Sequence, residues 1–264
     1  MTPADIARHT AETRELLKDA SYKRIDATKG GFNPYDGHSE TPPNTIGSMT
    51  FVWAFSWTPE IEPNRAGWEQ LIQGFKLALS VIYPDCGVIS TDVKVEKSRQ
   101  FPMALAQIYA KTRRAVRGPL VILEADVVCI KRCDPFEAEF DIGLTDCQDQ
   151  WPMMPFNAGV MFARDTPNAQ RFLDTAMEYA CNIPQNCDPW YAYQFALSHT
   201  YLALKDEVRI KVFPHEEYNH TPTVYSPTDA YFVHLKGDRK AIQRDYVLPL
   251  LEGQRGRLVV APPC

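Results

Sequence analysis

"GPLVILEADVVCIKRCDPF" spans Gly118–Phe136, and its centre decides how the rest of the chain is read. A run of strand-forming residues leads into Glu124-Ala125-Asp126, two acidic side chains one residue apart, and more apolar residues follow. A carboxylate left in an apolar strand without a partner would cost several kcal/mol, so something must compensate. In an extended chain, residues i and i+2 point the same way. Glu124 and Asp126 are therefore expected to reach one cation together, directly or through water, and hard oxygen ligands suit Mg²⁺ or Mn²⁺. A solvent-exposed strand end and a salt bridge remain open as alternatives.

Outward from this stretch, strands and helices alternate. Upstream, Met49–Trp57 ("MTFVWAFSW") reads as the first strand. "NRAGWEQLIQGFKLALSVIYP" has helical spacing, with Trp68, Leu71, Ile72, Phe75 and Leu79 on one face. Cys86–Val93 is a short strand, and "FPMALAQIYAKTRRAVRG" a helix stopping at Gly118. "PLVILEADVVCI" reads as the next strand, with the acidic pair inside it or, if it ends near Glu124, at its carboxyl end. Downstream, "FDIGLTDC" and "NAGVMFAR" are strands. "TPNAQRFLDTAMEYACN" is a helix with Thr166 as N-cap and Pro167 at its first position. "DPWYAYQFALSHTYL" is a second helix, and "VRIKVFP" and "AYFVHLKG" are late strands. The alternation predicts right-handed βαβ units: an α/β fold whose mixed, mostly parallel central sheet is flanked by helices. Ligands of such sheets lie at the carboxyl ends of the strands, where Glu124 and Asp126 are expected.

Composition sets the outer limits. The chain has 264 residues, 45% hydrophobic and 23% charged, which is ordinary for a globular protein. A net charge of -5 and a pI near 5.7 disfavour a generic nucleic-acid or anionic-membrane binder. The seven cysteines contain no C-x-x-C pair and read as reduced thiols of a cytoplasmic protein. The first twenty residues are charged and amphipathic, predicting a helix over 3–22 rather than a secretory signal. A Gly-, Pro- and Asn-rich loop follows it. No apolar run approaches the roughly 20 residues that a membrane span requires. The expected division is an N-terminal extension (1–48), a catalytic domain (49–242) and a tail (243–264).

Two further motifs carry chemistry. "AYFVHLKGDRKAI" contains His234, Gly237 and Lys240 in the pattern H-x-x-G-x-x-K. A histidine completes a metal site, a glycine lets backbone approach a phosphate, and a lysine supplies a point charge for a diphosphate. "WPMMPFNAGVMFAR" places Asn157 and Gly159 at the start of an apolar strand. Asparagine can bond sugar hydroxyls, and glycine admits a ring; a turn Asn and a bulge Gly are the alternative reading.

In this order the motifs resemble the glycogenin-like (family 8) nucleotide-sugar glycosyltransferases with the GT-A fold. The resemblance rests on Glu124-Ala125-Asp126, Trp151-Pro152 with Phe156-Asn157-Ala158-Gly159-Val160, Asp188, Pro214 with Tyr218-Asn219, and His234, Gly237 and Lys240. It covers about 49–240 and implies a single GT-A (Rossmann-like) domain. It further implies a hexosyltransferase-type enzyme, dependent on Mn²⁺ or Mg²⁺, that uses a nucleotide sugar and retains anomeric configuration. Asp126 and His234 would ligate the metal, with Glu124, in place of the usual first Asp, meeting it directly or through water. Glu124-Ala125-Asp126, Gly237 and Lys240 would bind the donor, and Asn157 and Gly159 line its sugar pocket. Asp188 would lie near the anomeric carbon; the Gln usually following it is Pro189 here, and Gln194 is the substitute candidate. The donor base is expected near Phe55, Ser56 and Trp57, with Asp92 either on base or ribose or in an ordinary turn; the expected donor is a uridine diphosphate (UDP) sugar. Lys111, Arg113 and Arg114 are expected either near phosphate or as a solvated helix end. The acceptor is not specified, although "HEEYNHTPTVYSPTD" is expected to wall its cleft, and nucleic acid has no support from the pI. The tail is expected to pack on the core or mediate self-association into a homo-oligomer. Alternatives are a catalytically silent nucleotide-sugar binding module and a sugar nucleotidyltransferase.

Overall fold

The computed structural model describes residues 49–57, 65–95, 100–147, 154–182, 189–236, 242–243 and 245–250. Side chains at 55–57, 65–71, 92–94 and 189–190 are not among those described. The expected N-terminal helix, Trp151-Pro152, Asp188, Gly237 and Lys240 lie outside the described residues.

The elements run β1 (Thr50–Trp57), α1 (Arg65–Ile82), β2 (Gly87–Lys94), α2 (Phe101–Ala115), β3 (Leu120–Glu124) and β4 (Val127–Cys129). After a 3₁₀ turn come β5 (Ile142–Asp146), β6 (Phe156–Ala163), α3 (Pro167–Cys181), α4 (Pro189–Leu204), β7 (Ile210–Phe213), α5 (His215–Tyr218) and β8 (Phe232–His234). The main sheet has six strands in the order β2-β1-β3-β6-β5-β7. Pairs β1–β2, β1–β3 and β5–β7 are parallel, and β6 runs antiparallel to both β3 and β5. The expected α/β fold with a mixed, mostly parallel sheet is therefore observed. With β6 reversed, its first residues lie beside the carboxyl ends of β3 and β5, so Asn157 reaches the same edge as Glu124.

β3 is buried on both faces, as befits a central strand. Leu120 and Ile122 face a cluster shared with α2, α3 and α4. Val121 and Leu123 face a second cluster with α1 residues, Val127, Val128, Phe232, Val233, Tyr246 and Val247. In that second layer Phe162 lies 4.8 Å from Phe213, 5.8 Å from Tyr218 and 6.2 Å from Phe232, centroid to centroid. These rings hold α5 and β8 against the sheet.

Three expectations change. "PLVILEADVVCI" is not one strand: the main-sheet strand ends at Glu124, Ala125-Asp126 form a turn, and β4 starts anew. β4 and β8 make a separate two-stranded antiparallel ribbon, so the strand carrying His234 is not part of the main sheet. The i, i+2 reasoning for Glu124 and Asp126 thus fails, because the chain is not extended between them. The helix α2 also ends three residues before Gly118, whose φ of 86° serves the turn into β3. At α3, Thr166 caps as expected: its hydroxyl accepts the Ala169 N–H at 3.1 Å, and Pro167 follows.

Candidate active site

Strand register brings the site together. Val127 pairs with His234, and the Leu235 N–H donates to the Asp126 carbonyl at 2.9 Å. The ribbon thereby sets His234 beside the turn that ends β3. His234 Nε2 lies 3.1 Å from Asp126 Oδ1 and 3.4 Å from Glu124 Oε2. One ligand atom from each of the three residues lies within 4.8 Å of the others. The carboxylates are partly exposed, and the imidazole is only 2% exposed.

A relay of hydrogen bonds fixes that imidazole. Thr145 Oγ1 is 3.1 Å from the carbonyl oxygens of both Asn157 and Val160, so its one proton goes to a carbonyl. Its lone pair then accepts from Asn219 Nδ2 at 3.1 Å. This turns Asn219 Oδ1 toward His234 Nδ1, also at 3.1 Å. Nδ1 therefore carries a proton, and Nε2 points at Glu124 and Asp126. Metal-ligating histidines are oriented in this way, with one nitrogen donating to an oxygen and the other left for the ion.

Gly159 is required by the same imidazole. A Cβ built there would lie 2.3 Å from His234 Nδ1 and 2.8 Å from Asn219 Oδ1. Any side chain would displace the ring. The close approach that this glycine permits is to His234. Asn157 is 3% exposed, and its Oδ1 accepts the Gly159 N–H at 2.8 Å, shaping the start of β6.

The donor set can hold a divalent cation. Two carboxylate oxygens within 4.8 Å of each other repel by about 3.5 kcal/mol or more at an effective dielectric constant of about 20. A cation between them and Nε2 reverses the sign of that interaction, and two oxygens with one nitrogen suit Mn²⁺ or Mg²⁺.

Other expected residues divide by position. Ala125 is buried in the turn between the acidic residues. Phe55 and Asp92 are register partners at the carboxyl ends of β1 and β2, the edge on which Glu124 lies, and Trp57 ends β1. Gln194 is half-buried in α4, where its carbonyl accepts the Ser198 hydroxyl at 2.9 Å. The basic cluster divides: Arg113 fits neither expectation, whereas Arg114 is the half-exposed end of a helix. α2 leads into the amino end of β3, the opposite edge from Glu124. Arg113 is buried, bonded to the carbonyls of Gly118 and Val116, and paired with Asp165 at 3.2 Å. Arg114 pairs with Asp174. Their charges are engaged in joining α2 to its neighbours, not at a phosphate.

Thr145 and Asn219 position His234, a role that the sequence did not single out. Asn219 was visible only as part of the Tyr218-Asn219 motif, and nothing in the spacing of Thr145 marks it.

No protein-family model and no curated protein matches the sequence. Solved structures do match the fold. A glycosyltransferase involved in glycosylation of the major capsid of PBCV-1 superposes with a TM-score of 0.55 at 14% identity, covering 76% of this chain and 99% of that one. The chain has the fold of a glycosyltransferase. GlyE of Streptococcus pneumoniae TIGR4 superposes with a TM-score of 0.50 at 14% identity, covering 81% of this chain, and its apo form with 0.53 at 10% identity, covering 82%. This chain spans 65% of the GlyE length. The likeness extends to glycosyltransferases broadly and does not single out the glycogenin-like family.

Proposed function

We propose that the protein is a divalent-metal-dependent glycosyltransferase of the glycogenin-like type. It would transfer a sugar from a UDP-sugar to an acceptor hydroxyl with retention of configuration. The observation that carries this reading is the convergence of Glu124, Asp126 and His234 at the carboxyl end of β3, with His234 Nδ1 pinned by Asn219. The glycosyltransferase fold supports it.

Glu124, Asp126 and His234 would hold Mn²⁺ or Mg²⁺, which when bound supplies positive charge at the donor diphosphate. Lys240 and the backbone at Gly237 would bind the same diphosphate. The bond between the anomeric carbon and the diphosphate oxygen breaks, and the leaving group takes the electron pair and gains charge. Lys240 stabilises that charge where it develops. The acceptor oxygen bonds to the anomeric carbon on the face just vacated, and its proton passes to the departing diphosphate. Asp188 and Gln194 would lie near the anomeric carbon, with Asn157 beside the sugar. Phe55, Trp57 and Asp92 would take the uracil and ribose, consistent with the edge on which β1 and β2 end.

Residues 49–242 would be the catalytic unit, flanked by 1–48 and 243–264. Tyr246 and Val247 are buried against the core, which supports packing of the tail's first part. A cytoplasmic setting is supported by the five described cysteines, all free thiols. Burial pushes Cys86 and Cys133 up to about 11, away from reactive thiolates. Among the described residues, no helix is long and apolar enough to cross a membrane.

The test is UDP release from a panel of UDP-sugars, with and without Mn²⁺. Metal-dependent release from one donor, lost in Asp126→Ala, is the expected result. Donor binding without release would instead identify a binding module, the reading that Pro189 after Asp188 favours.

A further inference from the structure

Two tyrosines next to this site bury hydroxyls that have no hydrogen-bond partner among the described residues. Tyr109 in α2 is 1% exposed and Tyr193 in α4 is 4% exposed, with their rings 5.8 Å apart. Phenylalanine would fill nearly the same volume without this penalty, since a buried hydroxyl is costly unless it is bonded. Both tyrosines belong to the cluster that receives Leu120 and Ile122. By the period of two along β3, Glu124 continues that face. The two phenols thus sit on the Glu124 side of the candidate metal site.

We propose that the Tyr109 and Tyr193 hydroxyls are specificity-determining groups that bond the hydroxyls of a neutral sugar ring of the nucleotide-sugar donor. This rests on the transferase reading. Each phenol both donates and accepts, which matches an alcohol. Both hydroxyls lie within electrostatic reach of the Glu124 carboxylate, and Tyr109 also within reach of Asp126. The ring is either the transferred sugar or the ribose.

The experiment is calorimetric titration of the whole protein with MnCl₂ present, using UDP, UDP-glucose, UDP-galactose and UDP-N-acetylglucosamine. Wild type is compared with Tyr109→Phe, Tyr193→Phe and the double variant. Each substitution is expected to weaken binding roughly fivefold, and both together more than tenfold. Weakening of a UDP-sugar but not of UDP assigns the transferred sugar; equal weakening of both assigns the ribose. Thermal melts should show the phenylalanine variants at least as stable as wild type. Unchanged affinities in all variants, or a loss of more than about 3 °C in Tm, overturn the inference, the latter because the hydroxyls would then have partners within the fold. Failure of wild type to bind any of the four compounds would overturn the transferase reading and this inference with it.

Discussion

Gly159 and Asn219 set the geometry of His234 without being ligands themselves. Gly159→Ala would place a methyl carbon where the imidazole now lies, so the ring must move. A loss of about 1–3 kcal/mol in urea unfolding is expected, together with loss of the Mn²⁺-dependent thermal shift. Asn219→Ala leaves the His234 Nδ1–H without its acceptor and removes the donor to Thr145. Metal affinity should fall about 10–100-fold, as for other groups that orient metal-bound histidines. Manganese paramagnetic resonance measures that affinity directly, and a wild-type value would remove Asn219 from the account. Some of this was legible in the sequence. Glu124-x-Asp126 and His234 stood out because carboxylates and imidazoles are out of place among apolar residues. Thr145 did not, since a threonine in a strand is ordinary and its partners lie 12 and 74 residues away.

At the level of elements, the arginines of α2 stabilise rather than bind. Arg113→Ala should lower stability by about 3 kcal/mol, because it strips a buried charge network joining α2 to the turn at Gly118, to the end of β6 at Ala163 and to Asp165. Donor affinity of the folded variant should match wild type, as measured by calorimetry at a temperature below its melt; a tenfold loss would restore these residues to a phosphate site. Asp141, just before β5, works similarly. Burial raises its pKa, but hydrogen bonds from Arg209, Thr166 and Asn168 outweigh that and hold it below the usual carboxylate value. A depressed folded-state pKa gives stability that is present above the unfolded pKa of about 4 and lost as pH falls through the lower folded value. Asp141→Asn should therefore melt earlier at neutral pH and show a flatter decline in Tm between about pH 4 and 2. The strands, helices and cap of α3 were legible because local propensity and period agree with the fold. The break at Ala125 was not. Apolar residues continue through it, and only the pairing of β4 with β8, more than 100 residues downstream, decides that a new strand begins.

Across the whole molecule, the six-stranded sheet delivers β1, β2, β3 and β5 to one edge, and the β4–β8 ribbon closes over it. The alternation of elements predicted that edge from the residues alone. It did not predict the ribbon, because a strand's membership in one sheet or another is set by long-range pairing and aromatic packing rather than by its own composition. Phe162 shows this dependence: its ring touches Phe213, Tyr218 and Phe232 and thus ties the sheet to the elements that carry Asn219 and His234. The most direct measurement is a calorimetric titration of UDP into the full chain, with Mn²⁺ and again with EDTA, for wild type, Asp126→Ala and His234→Ala. The expected result is metal-dependent binding in wild type and its disappearance in both variants. Equal metal-dependent binding in all three proteins would contradict a cation held between residues 126 and 234.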